Sequence, residues 1–490
     1  MPSPSTVRYL GLILGPLAAG LAYGALGGTT LGAEGRVAAA LAAWMAIWWL
    51  TEAIPLAVTA LLPLAVLPAT GAREIGATAK PYAHPLIFLF LGGFLLALAM
   101  ERWGLHRRIA LQTLRRFGSD RRRAVGGFMA VAAFMSMWTS NTATAILMLP
   151  IATSVIDRVR RESEREGTSP DPHFATALLL GIAYAASIGG VGTIIGTAPN
   201  LFLVSFIRDN LQQEIGFASW MRIGVPVVLV LVPLTWVLLT RVLQPVRGGP
   251  LPGGRETFEQ ELDEMGSIRR PEWMVLAIFV LTAAAWLSRP ALQELTLGGG
   301  KPFSGLTDAG IAVIASVLLF VLPVGWRSRE HLLDWESTAR VPWDILLLFG
   351  GGLSLAAALN DTGVAEFLGE QAVGLEVWPD YLAVVLVTAM VVFLTELTSN
   401  TATTAALVPV LAGVAPAIGL HPYALIFPAA MSASCAFMLP VATPPNAVVF
   451  GSGRVTIPDM AKAGLWLNLL AILVLSLYTY FVVLSVLGVR

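Results

Sequence analysis

Apolar runs of about 20 residues, the length that crosses a bilayer, recur along almost the whole of this chain, and they restrict its fold more than any other feature. Only 13% of its 490 residues are charged, about half the share usual in soluble domains. Such a chain has too little polar surface to face water on all sides. Lipid forces every backbone N–H and C=O to be satisfied inside the protein, so the runs read as helices. The expected class is an all-α polytopic membrane protein.

Gly, Pro and charged clusters delimit the expected spans. They fall near 9–28, 37–50, 54–70 and 85–101, followed by a hairpin-like pair at 124–139 and 143–157. Next come 173–189, a Gly-rich break, a short helix from about 199, and 223–243. A polar linker precedes spans near 272–287, 309–325 and 343–359. A second hairpin-like pair takes 381–397 and 402–417, and the chain closes with 421–438, a break, a short helix and 463–487. The run at 9–26 has only Arg8 as a basic flank and many spans follow it, so it reads as a retained helix and not a signal peptide.

Both hairpins carry "SNTAT", at 140–144 and at 399–403. The offset of 259 from Ser140 to Ser399 also carries Gly92-Gly93 onto Gly351-Gly352, Gly104 onto Gly363 and Pro150 onto Pro409. "GTAPN" at 196–200 and "ATPPN" at 442–446 repeat in the same order, at an offset of 246. So many matches in register indicate an internal duplication.

Charge sets the orientation of the two copies. Eight arginines lie between 102 and 123, beside the first hairpin, whereas no Lys or Arg occurs between Arg340 and Arg454, around the second. Basic loops stay cytoplasmic, so the first hairpin is expected to open from the cytoplasm and the second from outside. Each half then holds five crossings and one re-entrant hairpin. The odd count inverts the second copy, as in secondary transporters. One extra N-terminal helix precedes the repeat. The N-terminus is expected in the cytoplasm and the C-terminus outside, with the protein in the inner (plasma) membrane.

Ser, Asn and Thr compete with the helix for backbone hydrogen bonds and favour an interruption. At membrane depth an interruption persists only in protein or along a wet cavity. Its freed carbonyls and side-chain oxygens are hard neutral ligands for a cation such as Na⁺. The helix that restarts beyond it offers free N–H groups and a positive dipole end to a carboxylate. Proline in the second motif pair frees a further carbonyl at a fixed place. Small residues also serve tight helix packing, but two copies, each with its own Thr-x-Pro-Asn break, favour a binding site. No Arg or Lys lies near either motif in the sequence, so bound cations and helix ends would have to neutralise an anion.

These motifs, with "WWLTEAIPL" at 48–56, give the chain a near full-length resemblance to the divalent anion/sodium symporter family of dicarboxylate and citrate transporters. The resemblance implies a homodimer, a scaffold and a transport domain that moves as an elevator. It also implies two or more sodium sites, one from Ser136, Ser140, Asn141 and a carbonyl near Gly196. The other would use Thr395, Thr398, Asn400 and a carbonyl near Ala442. Substrate carboxylates would meet Ser140, Asn141, Thr142, Ser399, Asn400 and Thr401, with Thr197 and Thr443 behind them. The implied division is 1–123 scaffold and interfacial arm, 124–243 first transport half, 244–271 cytoplasmic linker, 272–379 scaffold, and 380–490 second transport half.

The expected activity is sodium-coupled symport of C4-dicarboxylates such as succinate, malate and fumarate. Alternatives are a sodium-independent exchanger, a carrier of citrate or an inorganic divalent anion, and a proton-coupled variant acting through Glu396. An intramembrane enzyme would need converging His, Asp or Cys residues, and a channel would not need two opposed hairpins.

The remaining suspects have modest roles in this reading. Glu396 is expected as a structural hydrogen-bond anchor, and Glu52 as a local cap in its turn. The five histidines are scattered singly, without metal-ligand spacing. The fourteen tryptophans suit membrane interfaces. Cys435 reads as an inert packing residue in an apolar helix, and as the single cysteine it excludes an internal disulfide. The stretch 107–123 reads as an amphipathic interfacial helix, and 247–270 as a flexible connection. Equal numbers of acidic and basic residues, 31 each, point to no nucleic-acid partner.

Overall fold

The computed structural model describes residues 4–117, 120–165, 171–251, 254–297, 300–325, 329–371 and 379–489. Among the described residues the regular elements are helical, and nine helices are long and apolar enough to cross a membrane. Helix α1 (Pro4–Ala25) lies along α2 (Ala33–Thr51) and is mostly exposed. Glu52 ends α2 in the left-handed region at φ 46°, its N–H donating to the Trp48 carbonyl, so the expected cap is present. The span expected near 54–70 is two short helices, Leu56–Thr59 and Leu62–Ala69. Pro63 stands in the first turn of the second, where a missing N–H costs nothing.

The first repeat runs α3 (Pro85–Arg102), α4 (Leu105–Leu114), α5 (Arg121–Ser136), α6 (Asn141–Arg165), α7 (Pro172–Gly190), α8 (Ala198–Asn210) and α9 (Phe217–Val237). Helices α10 (Arg270–Glu294) and α11 (Asp308–Val321) open the second half. Then α12 (Trp343–Asp361), α13 (Val364–Gln371), α14 (Asp380–Thr395), α15 (Asn400–Ala417), α16 (Tyr423–Ala433), α17 (Pro444–Phe450) and α18 (Ile457–Tyr478) retrace the first series. The turns from α3 to α4 and from α12 to α13 both rest on glycine with positive φ, Gly104 at 69° and Gly363 at 76°, a conformation that costs glycine nothing.

Three expectations are corrected. The amphipathic helix is shorter than 107–123, because α4 stops at Leu114 and α5 starts at Arg121. Its counterpart α13 had no place among the expected spans. The linker is not a plain coil: Gly254–Met265 is a helix packed on α4, with Phe258 buried, while Pro252 and Gly253 lie outside the described residues. Arg108, buried on α4, pairs with Glu272 at 2.6 Å, and Arg107 pairs with Glu261 at 3.1 Å. Arg108 also donates to the Gly266 carbonyl at 2.9 Å, so these bonds fasten the connector and the start of α10 to the first repeat.

Hydrogen bonds also establish which ends share a face. The Arg121 N–H donates to the Gly249 carbonyl at 3.1 Å, and the Arg158 guanidinium donates to Thr257 Oγ1 at 3.1 Å. Both feet of the α5–α6 hairpin therefore meet one connector, so the hairpin enters and leaves on the same side. Arg454, just past α17, joins that face through Asp157 at 2.8 Å. On the opposite face the Tyr423 hydroxyl donates to Gln213 at 2.6 Å, and His84 meets Asp209 at 3.1 Å. The start of α16 thus lies with the end of α8, and the second copy is inverted. The most enclosed span is α7, which runs through the centre of the packed core.

Candidate functional site

At the first hairpin tip the last residue of α5 reaches the first residue of α6. The Ser136 hydroxyl donates to Asn141 Oδ1 at 2.6 Å, and Thr139 and Thr144 share a hydrogen bond at 2.9 Å. The second tip repeats both bonds at the offset of 259: Thr395 donates to Asn400 Oδ1 at 2.6 Å, and Thr398 pairs with Thr403 at 2.7 Å. Ser140 Oγ accepts the Ala143 N–H at 3.1 Å, and Ser399 Oγ accepts that of Ala402 at 3.5 Å. Each serine therefore caps the helix that restarts behind it, while the first N–H groups of α6 and α15 have no partner within the helix. Ser136, Thr139, Thr144, Thr395 and Thr403 are buried; Ser140, Asn141, Thr142, Ser399, Asn400 and Thr401 are only half-buried. The tips are rigidly held and still accessible.

Each tip faces a break. Helix α7 ends at Gly190 and α8 starts at Ala198, and a longer gap, from Ala433 to Pro444, separates α16 from α17. A Cβ on Gly190 would stand 2.7 Å from Asn141 Oδ1 and 3.0 Å from the Gly196 carbonyl oxygen. Asn141 and Gly196 therefore meet at one bare glycine and Ser136 joins them through its bond to Asn141, which accounts for three of the four residues expected around the first cation. The fourth, Ser140, follows in the turn with its oxygen directed at its own helix. At the second site Thr395 and Asn400 are together, and Thr395 also donates to the Ala433 carbonyl at 2.9 Å. Thr398 bonds to Leu394 and Thr403 instead. Ala442 lies buried in the facing break, next to Thr443.

Thr197 and Thr443 are the extended residues just before α8 and α17. Thr443 Oγ1 accepts the Asn446 N–H at 3.3 Å, whereas Thr197 Oγ1 lies 3.5 Å from Ser434 Oγ and joins the two breaks across the repeats. Helix α8 packs on α15, and α17 on α6. Each restarted helix thus leans on the other repeat's hairpin. A cavity of about 750 Å³ runs from Ser140 and Thr142 to Glu101, Arg107 and Arg340 on the connector face. It gives the first tip a route to water. A smaller cavity of about 470 Å³ on the opposite side is lined by Asn360, Glu366, Pro409 and Gly413, and it does not reach the second tip.

Glu396 is the anchor expected of it. Buried, it accepts the N–H groups of Phe437, Met438 and Leu439 at 2.7 to 3.2 Å and the Asn468 amide at 2.8 Å. It thereby organises the second break. Its counterpart Met137 does the corresponding work with its carbonyl, which accepts from Thr193. Cys435 is buried but stands in this break, past the end of α16, and not in a helix as expected. Four of the five histidines have side-chain partners: His84 with Asp209, His173 with Gln244, His106 with the Met100 carbonyl and His421 with the Tyr423 N–H.

The sequence pattern of the sodium:sulfate symporter transmembrane region matches residues 28–487. The sodium-dependent dicarboxylate transporter SdcS of Staphylococcus saprophyticus is 42% identical over 485 residues, 98% of this chain and 92% of that one. SdcS of a Staphylococcus aureus strain is 42% identical over 488 residues, 99% and 93% of the two chains. The crystal structure of the Alcanivorax borkumensis YdaH transporter, described as having an unusual topology, aligns with a TM-score of 0.60 over 98% of this chain and 99% of its own. At 14% identity that likeness concerns the fold alone. With its inverted repeat and paired interrupted hairpins, the chain belongs to the sodium:sulfate symporter family and is a multi-pass membrane transporter, not an enzyme.

Proposed function

We propose that this protein imports C4-dicarboxylates such as succinate, malate and fumarate in symport with Na⁺. The observation that carries the reading is the duplicated tip, in which Ser136–Asn141 and Thr395–Asn400 form the same 2.6 Å bond at the apex of two opposed hairpins. The names of the 42% identical relatives support sodium and dicarboxylate as the ligands. One cation would be held by Ser136, Ser140, Asn141 and the Gly196 carbonyl, the other by Thr395, Thr398, Asn400 and the Ala442 carbonyl. Oxygen-only neutral ligands suit a hard alkali cation. The dianion would lie between the tips on Ser140, Asn141, Thr142, Ser399, Asn400 and Thr401, with Thr197 and Thr443 behind. Its charge would be met by the free N–H groups of α6 and α15 and by the two cations.

Binding is then ordered: cations fix the tips, and fixed tips receive the anion. In this reading the protein works as a homodimer in the plasma membrane, with the N-terminus and connector cytoplasmic and the C-terminus outside. Segments 124–243 and 380–490 would form the unit that moves as an elevator, and 1–123 with 272–379 the frame. The test is uptake of labelled succinate by proteoliposomes in Na⁺, Li⁺ or choline. Uptake in Na⁺ alone, inhibited by malate and fumarate, is the expected result. Equal uptake in choline would overturn sodium coupling in favour of exchange, and competition by citrate or sulfate alone would overturn the substrate class.

A further inference from the structure

The asparagines that close "GTAPN" and "ATPPN" stand in the first turns of α8 and α17, just past the two breaks, and are not among the residues proposed above as ligands. Asn200 and Asn446 are each 0% exposed. The Asn200 amide Nδ2 donates to the carbonyls of Gly190 at 2.9 Å and Thr193 at 2.7 Å, with Val191 a longer third contact at 3.3 Å. The Asn446 Nδ2 donates to the carbonyls of Ala436 at 3.2 Å and Leu439 at 3.0 Å. The offset of 246 carries Gly190, Thr193 and Asn200 onto Ala436, Leu439 and Asn446, so the duplication has kept both donor and acceptors. Each amide uses its N–H groups fully, while Oδ1 has no donor among the described residues. A side chain placed for packing alone would not aim its only donors at two carbonyls on the far side of a loop, twice.

We propose that Asn200 and Asn446 are positioning residues for the two cation sites, an inference that rests on the sodium-coupled reading above. The loop that Asn200 spans carries the Gly196 carbonyl and includes Gly190, against which Asn141 Oδ1 lies. The loop that Asn446 spans carries Ala442. Holding the carbonyls at 190 and 193, or at 436 and 439, leaves the remaining carbonyl of each loop one direction in which to point. Residues that orient metal ligands without touching the metal commonly change affinity by about 10–100-fold when replaced. The two clamps are unequal in what backs them up. The second loop is also held by Glu396, whose carboxylate takes three N–H groups in charge-assisted bonds, the first by two neutral bonds, from Thr193 to the Met137 carbonyl and from the Trp220 indole to the Val191 carbonyl at 3.0 Å. Losing Asn200 therefore does more damage than losing Asn446.

The experiment compares wild type, N200A and N446A as full-length reconstituted protein. It measures the Na⁺ concentration for half-maximal succinate uptake, succinate KM at saturating Na⁺, and thermal unfolding in Na⁺ against choline. Expected is a half-saturating Na⁺ raised about tenfold or more for N200A and less for N446A, with succinate KM at saturating Na⁺ little changed. The rise in unfolding temperature that Na⁺ gives the wild type shrinks in both variants. Equal loss of unfolding temperature in Na⁺ and choline, with an unchanged Na⁺ requirement, would reduce both asparagines to structural parts and overturn the inference. Should a variant be too unstable for transport, the Na⁺-dependent shift in detergent still decides between these outcomes. Wild type showing neither Na⁺-dependent uptake nor a Na⁺-dependent shift would instead defeat the sodium reading itself.

Discussion

Glu396 shows how a charged side chain survives at membrane depth without a basic partner. Its carboxylate only accepts, and it takes three backbone N–H groups and one amide; such charge-assisted bonds are the strong ones. Glu396→Gln keeps the shape but turns one acceptor into a donor aimed at the N–H groups of Met438 and Leu439. The expected cost is about 1–3 kcal/mol, the usual penalty for buried groups left unsatisfied. It is to be measured as a lower unfolding temperature, with Na⁺-dependent uptake falling in step. A variant of unchanged stability whose uptake loses only its pH dependence would make Glu396 a proton carrier instead. The sequence shows that Glu396 is a lone acid in an apolar run, but not its partners. Three are main-chain groups 41 to 43 residues away, which no residue type announces, and the fourth is the Asn468 amide, 72 residues away. The tip bonds were more legible, because Ser136 and Asn141, like Thr395 and Asn400, are local and repeat in register.

At the scale of helices, two glycines seat the last helix of each repeat against its break. A Cβ on Gly224 of α9 would come 2.4 Å from the Val191 carbonyl oxygen, and one on Gly464 of α18 would come 2.3 Å from that of Phe437. Backbone cannot yield as a side-chain tip does, so alanine at either position must push the helix off the loop. Overpacking of this kind costs about 1–3 kcal/mol. G224A and G464A are expected to unfold at lower temperature and to transport poorly, whereas G20A, on exposed α1 with nothing within 4 Å, should match the wild type. Wild-type uptake by G224A would mean that the break does not need this contact. Long apolar helices were legible because length and composition suffice to find them. Helix α13 and the connector helix Gly254–Met265 were not. Both are short, amphipathic and stabilised by what they pack on, and short isolated helices have little intrinsic stability.

Over the whole molecule, the inverted repeat makes a claim about sides that a labelling experiment can decide. The feet of the first hairpin share the connector, through Arg121 and Arg158, so Arg116 and Glu164, both exposed near those feet, belong on one side. Asp380 and His421, exposed at the feet of the second hairpin, belong together on the other side, where Tyr423 meets Gln213. In the proposed orientation the arginine-rich first region faces the cytoplasm. Cys435 is wholly buried, so the natural protein offers a membrane-impermeant maleimide almost no background. Four single-cysteine additions at Arg116, Glu164, Asp380 and His421 then suffice. R116C and E164C should label only after the cells are opened, D380C and H421C in intact cells. Had either pair of segments been one broken crossing and not a hairpin, its feet would fall on opposite sides and its pair would split. A split pair would leave that repeat without a tip opposed to the other. No rearrangement of the oxygens around Asn141 and Asn400 could then expose the shared site to each side in turn.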